Sequence, residues 1–181
     1  MVDPSASLGL ESKTVRVVPY DPAWPGLFVA ERQRLDGILM QEGIALAIQH
    51  TGSTSIPGLA AKPILDILAG APDPPTLARA IDTLQRADYI YRGEQDITGR
   101  HFFRRGNPRQ YHVHLTLTGS EFWRDHLLFR DYLRAHSEVA AEYAALKHTL
   151  AERFPFDREA YIAGKTEFVE HVLRTASGGR E

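Results

Sequence analysis

The chain has 181 residues, 43% hydrophobic and 24% charged, which is enough to bury one sizeable core and is unlike a disordered segment. A formal net charge of -2 argues against broad electrostatic adhesion to nucleic acid, and zero cysteines exclude disulfides and thiolate metal sites. No stretch is long and apolar enough to cross a bilayer, and no basic region followed by an apolar run opens the chain, so a cytoplasmic protein with no membrane partner is expected.

Residues 1–12 are small and polar and are expected to form a flexible leader. Thr14 to Val18 reads as a short strand. Asp21 and Pro22 mark a turn, after which Leu27, Phe28, Leu35, Ile38 and Leu39 recur at helical spacing to about Met40. Trp24 is expected to pack this helix onto a sheet. Ile44, Leu46 and Ile48 alternate as a half-buried strand does and lead into Gly52 and Ser53. Ile64 to Gly70 reads as a second, buried strand. Ala71 to Pro75 is a loop before a helix with Leu77, Ile81 and Leu84 on its apolar side. Tyr89 to Tyr91, His101 to Arg105 and Tyr111 to Thr118 read as three more strands, the last two joined by a turn at Gly106, Asn107 and Pro108. From Glu121 the pattern is helical, with stops near His136 and Pro155.

The chemistry concentrates in two places. Gly52 allows a ligand close to the backbone and Ser53 adds a hydroxyl, a combination that suits either an ordinary capped turn or a phosphate. Asp66 stands among Ile, Leu and Ala on the next strand, where a carboxylate must be hydrogen-bonded or bound to a metal. His112, His114, Thr116 and Thr118 share one face of a strand because side chains alternate. That face is either solvated or turned to a cleft beside Asp66, and two histidines spaced i, i+2 reach one metal ion or one phosphate together. His50 is a third candidate ligand, or a buttress of the Gly52 loop. Lys62, in the loop between Ser53 and the second strand, is a further candidate for binding phosphate, or a solvated surface charge. Arg104 and Arg105 face opposite ways, so one of them can share the histidine cleft and bind phosphate. Tyr161 and Lys165, four residues apart, would share a helix face that either packs on the core or touches phosphates. Tyr143 and Lys147 repeat that spacing, with a surface position the stronger reading. Glu94 and Asp96 are loop acids that read as solvated charges unless one swings into the site.

The run from His50 to Ile67 resembles the signature of the GrpB family, a group of small proteins placed in the nucleotidyltransferase superfamily. The resemblance extends to Val15 through Trp24, to Tyr111 through Leu115 and to Tyr161 through Phe168, so it covers nearly the whole chain after the leader. It implies an α/β fold with a small mixed sheet of the nucleotidyltransferase type, flanking helices and a C-terminal helical subdomain. Superfamily members carry Gly-Ser on a helix after the first strand, then two acids spaced Asp-x-Asp on the next strand, and often a third acid later. Gly52, Ser53 and Asp66 match, but Leu68 occupies the position of the second acid. Two bridging carboxylates are what clamp a magnesium pair, so one acid with imidazoles points to a single divalent metal (Mg, Mn or Zn), with the softer ions favoured, or to none.

The resulting expectation is an α/β core over residues 13–120, a C-terminal helical subdomain over 121–175 of the same domain and a flexible tail at 176–181, with the site in a cleft between core and helices. Its partner is expected to be a nucleoside triphosphate or another phosphorylated small molecule. The leading reading is transfer of a nucleotidyl group, with Asp66, His112 and His114 as catalytic or metal-binding groups. Alternatives are a non-catalytic nucleotide- or metabolite-binding protein and a metal-dependent hydrolase that also uses His50.

Overall fold

Apolar alternation in five segments produces a five-stranded mixed sheet in the computed structural model, which describes residues 8–178. The elements run α1 (Trp24–Gln41), β1 (Ala47–Thr51), β2 (Leu65–Ala71), α2 (Pro74–Arg86), β3 (Ile90–Tyr91), β4 (His101–Arg105), β5 (Tyr111–Leu117), α3 (Glu121–Ala135), α4 (Ser137–Arg153), α5 (Arg158–Ala163) and α6 (Thr166–Ala176). The strands lie in the order β1-β2-β5-β4-β3, with β2 and β5 parallel and the other pairs antiparallel.

Strand register decides which residues meet. Ile48, Ile67, Ala69, Phe103, Val113 and Leu115 fall on one face. There they join Trp24, Leu35 and Leu39 of α1 and Ala80 and Leu84 of α2 in the main core. Each valine, leucine, isoleucine or phenylalanine among them contributes roughly 1.5–3 kcal/mol by leaving water. This face also holds a buried acid, Glu31, which accepts hydrogen bonds from the Tyr89 hydroxyl at 2.5 Å and from Arg105 at 2.9 Å. Arg105 further donates to Asp88, so it belongs to the α1 side.

The opposite face carries Thr51, Asp66, Leu68, Phe102, Arg104, His112 and His114. Helices α3 to α6 cover it. Trp123 of α3 lies so close to Gly70 that an added Cβ would stand 2.6 Å from the indole. A second cluster, formed by Ile56, Leu59, Leu133, Tyr143 and Val172, binds α3, α4 and α6 to the loop after β1.

Three expectations change. Thr14 to Val18 is not a strand: Val18 forms a single bridge with Ala61, while Val15 packs against Leu150 and Tyr161. Residues 1–7 of the expected leader and 179–181 of the expected tail lie outside the described residues, but Leu8 and Leu10 are buried and Leu10 is bridged to Arg109. Tyr161 and Lys165 do not share one helix, because the chain breaks at Gly164, where a Cβ would strike Leu150. No helix among the described residues is long and apolar enough to cross a membrane.

Candidate metal and phosphate site

Antiparallel pairing sets Thr51 opposite Asp66, and parallel pairing sets Asp66 beside His112 and Leu68 beside His114. The result is a cluster on the helix-covered face. His112 Nδ1 and His114 Nε2 lie 3.2 and 3.3 Å from the same Asp66 Oδ1. Gly52 closes over them with φ 68° and ψ -176°, a region open essentially to glycine alone. A Cβ there would stand 2.6 Å from Asp66 Oδ2, so the glycine is needed both for its conformation and for its closeness to the carboxylate. The loop continues as one turn of 3-10 helix, Ser53–Ser55, in place of the longer helix that the superfamily pattern suggests.

Side chains from distant elements hold this loop. Arg134 donates to the Ser55 carbonyl at 2.7 and 3.0 Å, and Arg130 to the His50 carbonyl at 3.0 Å. Lys147 of α4 donates to the Ala60 carbonyl. His50 itself projects to the α1 side, stacked on Phe28 with ring centroids 4.7 Å apart, and its Nε2 lies 3.0 Å from Thr54 Oγ1. It buttresses the loop and lies apart from the Asp66 cluster.

Above the cluster is a cavity of about 300 Å³ whose single carboxylate is Asp66 and whose cations are Lys62, Lys147, Lys165, Arg100 and Arg158. Lys62 and Lys165 lie over the Tyr161 ring at 5.3 and 4.7 Å, and Lys147 over Tyr143 at 4.7 Å. Burial, reinforced by the nearby ammonium groups, brings Lys62 and Lys147 down to about 7. Burial likewise lowers Lys165, to about 8, although Asp66 pulls the other way. Burial also disfavours the charged form of Asp66, but hydrogen bonds from His112 and His114 outweigh it and hold the carboxyl well below its usual range. Burial takes His112 down to about 4 against the pull of Asp66, so its ring is neutral near pH 7.

The ligating atoms of Asp66, His112 and His114 lie within 4.8 Å of one another, close enough to share one ion. Two imidazole nitrogens and one carboxylate oxygen suit zinc, manganese or ferrous iron better than magnesium, which prefers oxygen alone. His112 Nε2 and His114 Nδ1, the ring atoms turned away from Asp66, have no hydrogen-bond partner among the described residues. No fixed contact on the far side therefore opposes a tautomer that offers a lone pair to a metal. Phe102 holds both rings, with centroids 5.0 Å from His112 and 5.1 Å from His114. The residues fit a single transition ion.

The remaining candidates separate. Gly52, Ser53, Lys62, Tyr161 and Lys165 line the cavity with the metal trio, whereas Arg104 lines a neighbouring cleft. Glu94 caps the Gly99 amide at 2.8 Å, and neither it nor Asp96 lines the cavity. Tyr143 and Lys147, read above as surface residues, are buried walls of the site. Arg100, His126 and Arg158 also line it, and no spacing in the sequence marks them.

The family description "GrpB protein" matches residues 14–175. The chain belongs to the GrpB family. Among its GrpB-type relatives, UPF0157 protein PA4798 of Pseudomonas aeruginosa is 43% identical over 90% of this chain and 67% of its own length. UPF0157 protein YqkA of Bacillus subtilis is 40% identical over 91% of this chain and 48% of its own, so the chain spans about half the length of that relative. The crystal structure of conserved protein GrpB from Enterococcus faecalis aligns with TM-score 0.80 and 35% identity, over 89% of this chain and 96% of that one. The GLD-2/RNP-8 complex aligns with TM-score 0.57 and 14% identity, over 90% and 62%. The Cid1 poly(U) polymerase with MgGTP bound aligns with TM-score 0.50 and 13% identity, over 76% and 45%. At such identities these two share the fold alone, a mixed sheet with flanking helices.

Proposed function

We propose that this GrpB protein binds a nucleoside triphosphate in the cavity above Asp66 and transfers its nucleotidyl group to an acceptor hydroxyl. The observation that carries the reading is the lining of the cavity: one carboxylate against two arginines and three lysines held at about 7 to 8, which a phosphate-rich ligand would draw to their charged forms. Lys62, Lys147 and Lys165 would neutralise the triphosphate, with Gly52 and Ser53 along its path. Asp66, His112 and His114 would hold one divalent ion. That ion, when bound, would polarise the α-phosphate as a Lewis acid. In the transfer, the acceptor oxygen forms a bond to the α-phosphorus, the bond to the bridging oxygen breaks, and pyrophosphate leaves. The acceptor proton passes to His126 Nε2. Its Nδ1 lies 2.9 Å from the Phe122 carbonyl and donates there, which makes Nε2 the accepting nitrogen; burial brings the ring down to about 4, so it is neutral but a weak base that takes the proton only as the acceptor oxygen bonds to phosphorus. His112 and His114 are then ligands, not bases.

Incubating the protein with nucleoside triphosphates, manganese or zinc and pooled acceptors, and measuring pyrophosphate, tests this reading. Release that disappears in Asp66→Asn is expected, and no release with any pool would defeat it. A second reading, binding without turnover, is favoured by Leu68, which lies fully buried where a second acid would complete a two-metal site. Saturable triphosphate binding with no pyrophosphate would select it. The hydrolase alternative loses a ligand, since His50 lies on the other face of the sheet.

A further inference from the structure

Next to the cavity lies a second cleft of about 590 Å³, lined by Lys13, Arg92, Arg104, Arg109 and Arg158 against only Asp157 and Glu159. Asp157 is already engaged, accepting from the Ala160 amide at 3.0 Å as the cap of α5. Arg109 is tied to the Leu10 and Glu11 carbonyls at 3.1 and 2.7 Å. Among the described residues none of the four arginines forms an ion pair. Arg104 Nε and Arg158 Nε are buried with no hydrogen-bond partner among the described residues. The guanidinium groups also feel one another: burial, then Arg158, Arg109 and Arg92, bring Arg104 down to about 10. Five cations gathered in a half-buried cleft against two carboxylates, neither of them ion-paired to the arginines, disfavour the fold unless something anionic occupies it. A guanidinium fork matches phosphate oxygens in geometry as well as charge. Arg158 lines both this cleft and the cavity above Asp66.

We infer that the arginine cleft is a second phosphate site, which holds a phosphate group of the acceptor while Arg158 joins it to the triphosphate pocket. The cleft stands on its own residues; only the assignment of its ligand as the acceptor rests on the proposed transfer. The acceptor is accordingly a phosphorylated small molecule with a free hydroxyl.

The test is calorimetric titration of the full chain with inorganic phosphate at low salt, with circular dichroism to check folding. Arg104→Gln is expected to weaken phosphate binding about 10-fold or more. It should leave metal-dependent triphosphate binding in place. Asp66→Asn should do the reverse, losing the metal-dependent triphosphate while phosphate still binds the arginines. Arg92→Gln, at the exposed rim, gives the same readout if Arg104→Gln fails to fold. Phosphate affinity within twofold of wild type in both arginine variants overturns the second site. So does equal loss of phosphate and triphosphate, which would merge the arginines with the main pocket. Phosphate binding by the wild type without metal-dependent triphosphate binding would instead count against the proposed transfer and leave the arginine site standing.

Discussion

Replacing Gly52 by alanine probes the closeness of loop and carboxylate. The residue has φ 68° and ψ -176°, and an alanine Cβ would stand 2.6 Å from Asp66 Oδ2 and 2.9 Å from Asp66 Cβ. Holding a non-glycine residue in that region costs about 1–3 kcal/mol. Relieving the collision costs a further ~1–3 kcal/mol. A total of about 2–6 kcal/mol lowers the melting temperature by roughly 4–24 °C for a domain of this size. The collision also pushes Asp66 away from His112 and His114, so zinc affinity should fall about 10–100-fold, as when the group that orients a metal ligand is lost. Gly58→Ala is the control: its φ is 77°, but nothing lies within 4 Å of an added Cβ, so it should lose some stability and keep its metal. Differential scanning calorimetry and a zinc competition titration measure both quantities. A Gly52→Ala protein with wild-type melting and wild-type zinc affinity would refute the packing of loop on carboxylate.

Other consequences follow from the two sides of the sheet. Tyr89→Phe removes the hydroxyl that donates to buried Glu31, at a cost of about 1–3 kcal/mol, and chemical denaturation should show it with zinc binding unchanged. A change in metal affinity would mean that the two faces are coupled. His50→Ala should destabilise the loop by removing the contacts to Thr54 and Phe28 but leave one metal bound. A metal loss equal to that of His114→Ala would return His50 to the site. Burial lowers His50, His112 and His126 from 6.5 to about 4. The unfolded chain therefore binds more protons than the fold in that window. The contribution of these three rings to stability is full above about pH 6.5 and falls towards pH 4, by up to ~1.4 kcal/mol per pH unit for each of them. Urea melts across that range test the sign, and a flat profile would mean that these rings are not held neutral.

Much of the sheet could be read in the sequence because a period of two fixes facing as well as strand identity. The same rule that put His112 and His114 on one face put Tyr111 and Val113 on the core side. The turn at Gly106 to Pro108 gave the hairpin for the same local reason. The misses are where a distant partner decides. Val15, Val17 and Val18 look like a strand, but beyond the single Val18–Ala61 bridge no strand among the described residues lies beside them; Val15 and Val17 pack with Leu150, Tyr161 and Phe154, and Val18 packs on the main core. Lys147 looks like a surface lysine until α4 folds over the loop and supplies the Ala60 carbonyl. Spacing placed Tyr161 and Lys165 on one helix; the break at Gly164 instead brings Lys165 back over the Tyr161 ring. His126, Arg100 and Arg158 come from separate elements, and only the tertiary fold gathers them.

The most direct measurement is metal content and affinity: zinc and manganese titrations, followed by elemental analysis, on wild type, Asp66→Asn and His114→Ala. A site built from Asp66, His112 and His114 predicts one transition ion per chain, greatly weakened in both variants, and triphosphate binding that depends on it. Two ions per chain, or one ion that survives Asp66→Asn, would contradict the single-metal site.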